Sequence, residues 1–173
     1  MEIQTITTGY LEENCYLLIH GDSCLVVDPG DDYEKIRKSL KNYQVLGVLI
    51  THHHFDHVGA LEPLLEEYHT SIYDINSIEK KEYSLGPFHF QIMGNPGHSK
   101  DSVRFVFKVE KVMFVGDFVF YHSIGRTDLP GGDSKEMVGS LNQLKKETEN
   151  YTLYPGHGPK TTLEEEKKNN PYF

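Results

Sequence analysis

Four apolar runs of this chain each end in a histidine or an aspartate, set in a loop shaped by glycine, proline or a sharp turn. Gln44–Ile50 runs into Thr51-His52-His53-His54-Phe55-Asp56-His57, and Phe88–Met93 into Asn95-Pro96-Gly97-His98-Ser99. Lys111–Val115 is followed by Gly116-Asp117, and Thr152–Tyr154 by Pro155-Gly156-His157-Gly158. Short continuous apolar runs of this kind are what buried strands read like. In a layered α/β protein the loops leaving such strands gather outside one sheet edge, where ligands bind. A His-rich surface loop arising by chance would not bring three further strand-end donors with it.

Elsewhere, alternating or continuous apolar residues predict strands near Glu2–Thr7, Cys15–Ile19, Cys24–Asp28 and Ser102–Val109, with Gly21-Asp22 as a hairpin turn. Helical spacing predicts helices near Tyr33–Leu40, Gly59–Tyr68 and Ser134–Lys146. Asp133-x-x-Glu136 would cap the third, and Thr162-x-x-Glu165 would open a short C-terminal one. The run Glu164-Glu165-Glu166 then reads as a solvated helix face. An antiparallel start followed by alternating strands and helices predicts an α/β domain in layers. A length of 173 residues suits one domain spanning 1–173. Cys15 and Cys24 sit inside strand-like runs with neither ligand nor disulfide spacing, as small core residues.

Composition removes several classes of function. A net charge of −9 with scattered Lys and Arg argues against nucleic acid, which needs a basic stripe. The apolar runs are too short to span a bilayer, and Met1–Asn14 lacks the basic start and apolar stretch of an export signal. Neither a nucleic-acid nor a membrane partner is expected, and the cytoplasm is the expected compartment.

In an extended segment successive side chains alternate faces, so His52 and His54 point together and His53 points away. Asp56 and His57 fall where the chain turns into the next helix, placed to address a second ion beside the first. Imidazole and carboxylate ligands without thiolate suit Zn²⁺, and also Fe²⁺ or Mn²⁺.

Thr51–His57 resembles the T-H-x-H-x-D-H signature of the metallo-β-lactamase superfamily. Pro96-Gly97-His98-Ser99, Gly116-Asp117 and Pro155-Gly156-His157-Gly158 match its remaining ligand positions in order, so the resemblance covers most of the chain. It implies an α/β fold, the four-layer αβ/βα sandwich, with a dinuclear site at the sheet edges. It assigns His52, His54 and His98 to one divalent ion, Asp56, His57 and His157 to the other, and Asp117 to the bridge. Zn²⁺ is the first expectation for both. Asp28 matches an aspartate beside that site, with a plain turn residue as the alternative. Asn14-Cys15-Tyr16 and Ser123–Gly132 resemble the short glyoxalase II-like branch. Full-length members of that branch carry a C-terminal helical domain that supplies much of the glutathione-thioester site. Only sixteen residues follow His157, so that domain is not expected, and the hydrolytic centre carries over without the glutathione specificity.

The resemblance thus implies a hydrolase of small acyl thioesters acting through a metal-bound hydroxide. Two divalent ions bring four positive charges and Asp56, Asp117 and the hydroxide remove three, leaving about one to hold an oxyanion. Asp56 is the expected proton acceptor, and the residual charge would favour acyl groups bearing a carboxylate or α-hydroxyl. Arg126 is a candidate substrate anchor, although a salt bridge to Asp128 that braces its own loop is the favoured reading. Tyr10 and Tyr121 are candidates for the cleft mouth, and the loop Thr8–Glu13 is expected to be mobile and to border it. His20, His69, His89 and His122 match no motif. The nearest rival is a persulfide dioxygenase, which shares T-H-x-H-x-D-H and Gly-Arg-Thr-Asp but holds one iron on positions like His52, His54 and His98. Hydrolysis of another ester, a lactone or a phosphodiester is the second alternative. Flavodiiron, nuclease and exported β-lactamase readings would want a flavin domain, a substrate arm and an export signal.

Overall fold

The computed structural model describes residues 1–80 and 82–173. Strands β1 (Glu2–Thr8), β2 (Glu13–His20) and β3 (Ser23–Val27) form an antiparallel meander, and after α1 (Tyr33–Leu40) strand β4 (Gln44–Leu49) returns parallel to β3. Helices α2 (Phe55–Val58) and α3 (Leu61–Tyr68) lead to β5 (Ile72–Tyr73), which completes a sheet of order β1-β2-β3-β4-β5. A second antiparallel run follows, made of β6 (Tyr83–Leu85), β7 (Phe88–Gly94), β8 (Val103–Phe107) and β9 (Val112–Gly116). Next come the hairpin β10 (Val119–Phe120) and β11 (Ser123–Ile124), and helix α4 (Ser134–Leu144). Strand β12 (Thr152–Pro155) then lies parallel to β9, ahead of β13 (Thr161–Thr162) and α5 (Leu163–Asn169). The second sheet has the order β13-β12-β9-β8-β7-β6.

Alternation along the strands sorts the interior into three cores. On β2, Cys15, Leu17 and Ile19 share a cluster with Ile36 and Leu40 of α1 and Leu64 of α3. Tyr16 and Leu18 belong to a second cluster, with Phe90, Phe105 and Phe114 of the other sheet. On β9, Val112 and Phe114 join that middle core, whereas Met113 and Val115 pack with Met137, Leu141 and Leu144 of α4. Three cores separate four layers, helix–sheet–sheet–helix, which is the αβ/βα sandwich of the metallo-β-lactamase fold. Central strands buried on both faces explain the unbroken apolar runs in the sequence. Cys15 and Cys24 are free and fully buried, the small core residues expected. Among the described residues, no helix is long and apolar enough to cross a membrane.

One expectation holds with a sharper boundary, and one needs correction. The helix predicted over Gly59–Tyr68 is α3, starting at Leu61, with the single turn α2 ahead of it. Ala60 donates its N–H to Pro29 O at 3.0 Å, and a Cβ on Gly59 would stand 2.3 Å from Gly30 O. α3 does not run back into α2, because the chain between them docks on the Pro29–Gly30 corner.

Nor are Glu164-Glu165-Glu166 a solvated face. The Glu166 side chain is fully buried and accepts from Thr161 Oγ1 at 2.6 Å, His122 N at 3.0 Å and Asn170 Nδ2 at 2.7 Å. Asn170 Nδ2 also donates to Ser123 O at 3.0 Å, and Glu165 Oε1 meets His122 Nε2 at 2.6 Å. Of the three glutamates only Glu164 is exposed. Charge-assisted bonds of this kind are among the stronger ones in a protein. They clamp the β10–β11 hairpin, which forms one wall of the site.

Candidate metal centre

The four donor loops meet where the edges of the two sheets touch. Thr51 O accepts from Val103 N at 2.8 Å and Gly156 O from Asn14 N at 2.7 Å, so each sheet holds a donor loop of the other. Asn14 Nδ2 donates to Pro155 O at 3.2 Å and Gly158 O at 2.9 Å, and the Tyr16 hydroxyl to Pro155 O at 2.6 Å. Asn14-Cys15-Tyr16 is thereby the brace of the His157 loop. Gly156 admits no side chain, because a Cβ would lie 2.3 Å from Asp117 Oδ1 and 2.5 Å from His57 Cε1.

All seven residues singled out in the sequence come together here. His54 Nδ1 lies 3.1 Å from His52 Nε2 and 2.9 Å from His98 Nε2. Asp56 Oδ2 lies 3.2 Å from His157 Nε2 and 3.9 Å from His57 Nε2. Asp117 stands between the two groups. Its Oδ1 is 3.4 Å from His57 Nε2, and its Oδ2 is 3.6 Å from His98 Nε2 and 3.7 Å from His157 Nε2. The donor atoms of His52, His54 and His98 all fall within 4.8 Å of one another, as do those of Asp56, His57 and His157.

The outer edge of each ring decides what the inner edge offers. His57 Nδ1 donates to Asp28 Oδ2 at 3.0 Å, His98 Nδ1 to Arg126 O at 2.8 Å, and His157 Nδ1 to Leu11 O at 3.1 Å. With the Nδ1 proton held there, a ring that binds metal turns a bare Nε2 toward the cluster. There, His57 Nε2 and Asp117 Oδ1 are buried without a hydrogen-bond partner, and their 3.4 Å approach is a charge contact.

Burial, with His57 close by, holds His52 well below the ordinary imidazole range. Burial and His98 lower His54 as well, so both rings are neutral, the form that binds metal. Burial also opposes charge on His57, but Asp117 and Asp28 outweigh it and raise His57 well above its usual value. Burial likewise opposes ionisation of Asp117, and His57 overcomes it, so the carboxyl titrates far below its normal range. The cluster demands positive charge at its centre, which a proton or a metal cation supplies. Converging bare nitrogens, orphaned buried atoms and two carboxylates fit a pair of divalent cations.

Asp28 is a residue of the site rather than a plain turn. It is buried, accepts from Thr51 N at 2.7 Å and Thr51 Oγ1 at 2.5 Å, and adopts a left-handed φ of 46° to do so. Glu13 was not singled out by its sequence. It is buried, accepts from Thr8 Oγ1 at 2.8 Å, and places Oε1 3.8 Å from His57 Nδ1. Burial pushes its carboxyl up to about 9. Glu12 beside it is exposed, and nothing in the local sequence tells the two apart.

His53 turns away as alternation predicts. Its Nδ1 lies 2.7 Å from Asp101 Oδ2 and its Nε2 3.4 Å from Asp74 Oδ2. His53→Ala is therefore expected to leave metal content unchanged, measured by mass spectrometry of the intact protein. Loss of one metal equivalent would contradict the register.

His54, Asp56, His98, Asp117 and His157 floor a cleft of about 770 Å³, whose lining also takes in Leu11 and Phe55 from the first half of the chain and Phe120, Ser123, Ile124, Leu129 and Pro130 from the second. The Thr8–Glu13 loop borders it through Leu11. Tyr10 stands outside, stacked on Phe55 with 6.4 Å between ring centroids. Tyr121 does not line the cleft. It stacks on His122 at 3.9 Å, because the clamp on α5 turns the hairpin tip outward. Arg126 lines the rim, but its Nε and Nη2 donate to Asp128 at 2.7 Å each. The guanidinium is spent on its own loop.

Residues 8–79 and 71–157 match the metallo-beta-lactamase superfamily, and the chain belongs to that superfamily. Its cluster and its fold are those of a metal-dependent enzyme of this class. The probable metallo-hydrolase YqgX of Bacillus subtilis (strain 168) is 31% identical over 207 residues, covering 100% of this chain and 98% of the relative. The hydroxyacylglutathione hydrolase GloC of Haemophilus influenzae is 28% identical over 210 residues, with the same coverage of 100% and 98%. Among solved structures, BLEG-1 B3 metallo-beta-lactamase is similar with a TM-score of 0.92 at 30% identity, covering 99% of both chains. TTHA1623 in a di-iron-bound form is similar with a TM-score of 0.87 at 32% identity, covering 98% of this chain and 100% of that one.

Proposed function

We propose that this protein hydrolyses small acyl thioesters with two divalent metal ions, Zn²⁺ first among the candidates. His52, His54 and His98 would hold one ion, Asp56, His57 and His157 the other, and Asp117 both. When bound, the pair supplies a Lewis acid for the acyl oxygen and a water acidic enough to attack near neutral pH. The protein does the rest. Asp56, at the cleft floor 3.2 Å from His157 Nε2, orients the attacking water and accepts its proton. Asp28 and Glu13 lie behind His57 and keep its ring in place.

The observation that carries the thioester reading is the make-up of the cleft walls. Among the described residues they hold no Lys, Tyr, Cys or Glu to protonate a leaving group, and the carboxylates of the cleft are Asp56 and Asp117 at the floor. An amine expelled from an amide depends on such an acid, which here would have to be Asp56 itself; a thiolate leaves without one. Similarity along the whole chain to a hydroxyacylglutathione hydrolase supports the same substrate class.

The test is hydrolysis of S-lactoyl-glutathione by the zinc-loaded protein, beside the same thioester lacking the γ-glutamyl group. With Arg126 paired to Asp128 and no Lys among the described residues of the lining, the carrier's carboxylates find little to hold them. Deleting the γ-glutamyl group is expected to change kcat/KM less than about tenfold. A hundredfold drop would reveal a dedicated carrier site. One iron per chain, with oxygen consumed on glutathione persulfide and no thioester cleaved, would overturn the proposal in favour of a dioxygenase.

A further inference from the structure

Apolar side chains are exposed at the rim of this cleft, where a soluble fold gains nothing from them. Phe55 is 63% exposed, Leu11 43%, and Tyr10, stacked on Phe55, 80%. Apolar surface gathered beside a groove marks a ligand site. The β10–β11 wall of the cleft is also largely apolar, with Phe120 and Ile124, and Leu129 and Pro130 extend it. That wall is built rather than loose. Glu166 and Asn170 hold its hairpin through His122 N and Ser123 O, at 3.0 Å each. The arginine of the lining, Arg126, is paired through Nε and Nη2 with Asp128.

We infer that the cleft selects its substrate by an apolar acyl group lodged between Leu11–Phe55 and Phe120–Ile124, and this rests on the thioester reading above. The acyl side is the apolar one because a thiol carrier soluble enough to deliver such a group is itself polar. The reaction adds water across the C–S bond. A C–O bond forms at the carbonyl carbon, and the C–S bond breaks with its electron pair on sulfur. Of the two protons from water, one ends on the thiol and the other in solvent, leaving an apolar carboxylate. A hydroxyl on the acyl α-carbon, which the metal charge alone would favour, adds no apolar surface for these walls to cover.

The experiment uses zinc-loaded protein and one carrier, N-acetylcysteamine, bearing acetyl, butanoyl, hexanoyl or lactoyl groups. At roughly 0.8 kcal/mol per buried methylene, close to fourfold each, kcat/KM is expected to rise about fifteenfold for each two-carbon step, with lactoyl below butanoyl. Leu11→Ser and Phe55→Ser alter exposed positions that the fold does not need, and each is expected to flatten the gradient. Calorimetric affinities of acetate, butanoate and hexanoate give a readout independent of turnover and should follow the same order. Hydrolysis at rates indifferent to acyl length, with flat carboxylate affinities, would overturn the inference and leave the hydrolase reading standing. A gradient in carboxylate affinity without hydrolysis of any thioester would uphold the apolar acid site and remove the thioester reading.

Discussion

Asp117→Ala is expected to lose both metal ions and about a thousandfold in kcat/KM. Asp117 reaches both donor groups, with Oδ1 3.4 Å from His57 Nε2 and Oδ2 3.6 Å from His98 Nε2. Its removal takes a charge from among the five buried or half-buried imidazoles of the cluster. A thousandfold corresponds to about 4 kcal/mol, the scale on which a metal centre stabilises charge in a transition state. Because metal that binds only the folded chain stabilises it by mass action, the variant should also melt lower than the zinc-loaded parent. The measurement is metal stoichiometry by mass spectrometry, alongside kinetics. Two ions retained at parental affinity would show that Asp117 does not bridge.

Asp28→Asn should be nearly as damaging, for a different reason, and should spare one ion. The substitution keeps the shape and still lets an oxygen accept from Thr51 N, where Asp28 Oδ1 now accepts at 2.7 Å. The amide nitrogen then faces His57 Nδ1, where Asp28 Oδ2 accepts a proton at 3.0 Å. Two donors cannot share that contact. His57 is driven to the tautomer with its proton on Nε2, the atom meant for the metal. Loss of an outer hydrogen-bond partner alone costs about 10–100-fold in metal affinity, and a wrong tautomer costs more. The expected result is one metal equivalent lost from Asp56, His57 and His157, with the His52, His54 and His98 ion retained. A two-metal Asp28→Asn protein with normal affinity would remove Asp28 from the machinery. Simultaneous loss of both ions would mean that the two groups do not load separately.

Much of this was legible in the sequence, because the physics concerned is local. Period-two alternation in a strand and 3.6-residue spacing in a helix are set by the backbone, so α1 at Tyr33–Leu40 and the strand body of β4 appear where the pattern places them. The same alternation turns His53 toward Asp101 while His52 and His54 face inward. Donors at strand ends are readable because strands that run the same way deliver their loops to one edge, as β7, β9 and β12 do in the second sheet.

What only the tertiary structure decided involves contacts between distant segments, which local pattern does not encode. Strands of two or three residues, such as β5, β10 and β13, exist because neighbours pair with them; their own sequences carry too little pattern. The Pro29–Gly30 corner splits α2 from α3 through a bond at Ala60 N. Glu13 and Glu166 read as two more surface acids in a chain of net charge −9, yet both are buried. Thr8 and His57 surround the first, and Thr161, His122 and Asn170 the second. A buried carboxylate is tolerable only where donors or neighbouring charges meet it. Those groups come from other parts of the chain, so folding alone brings them to the acid.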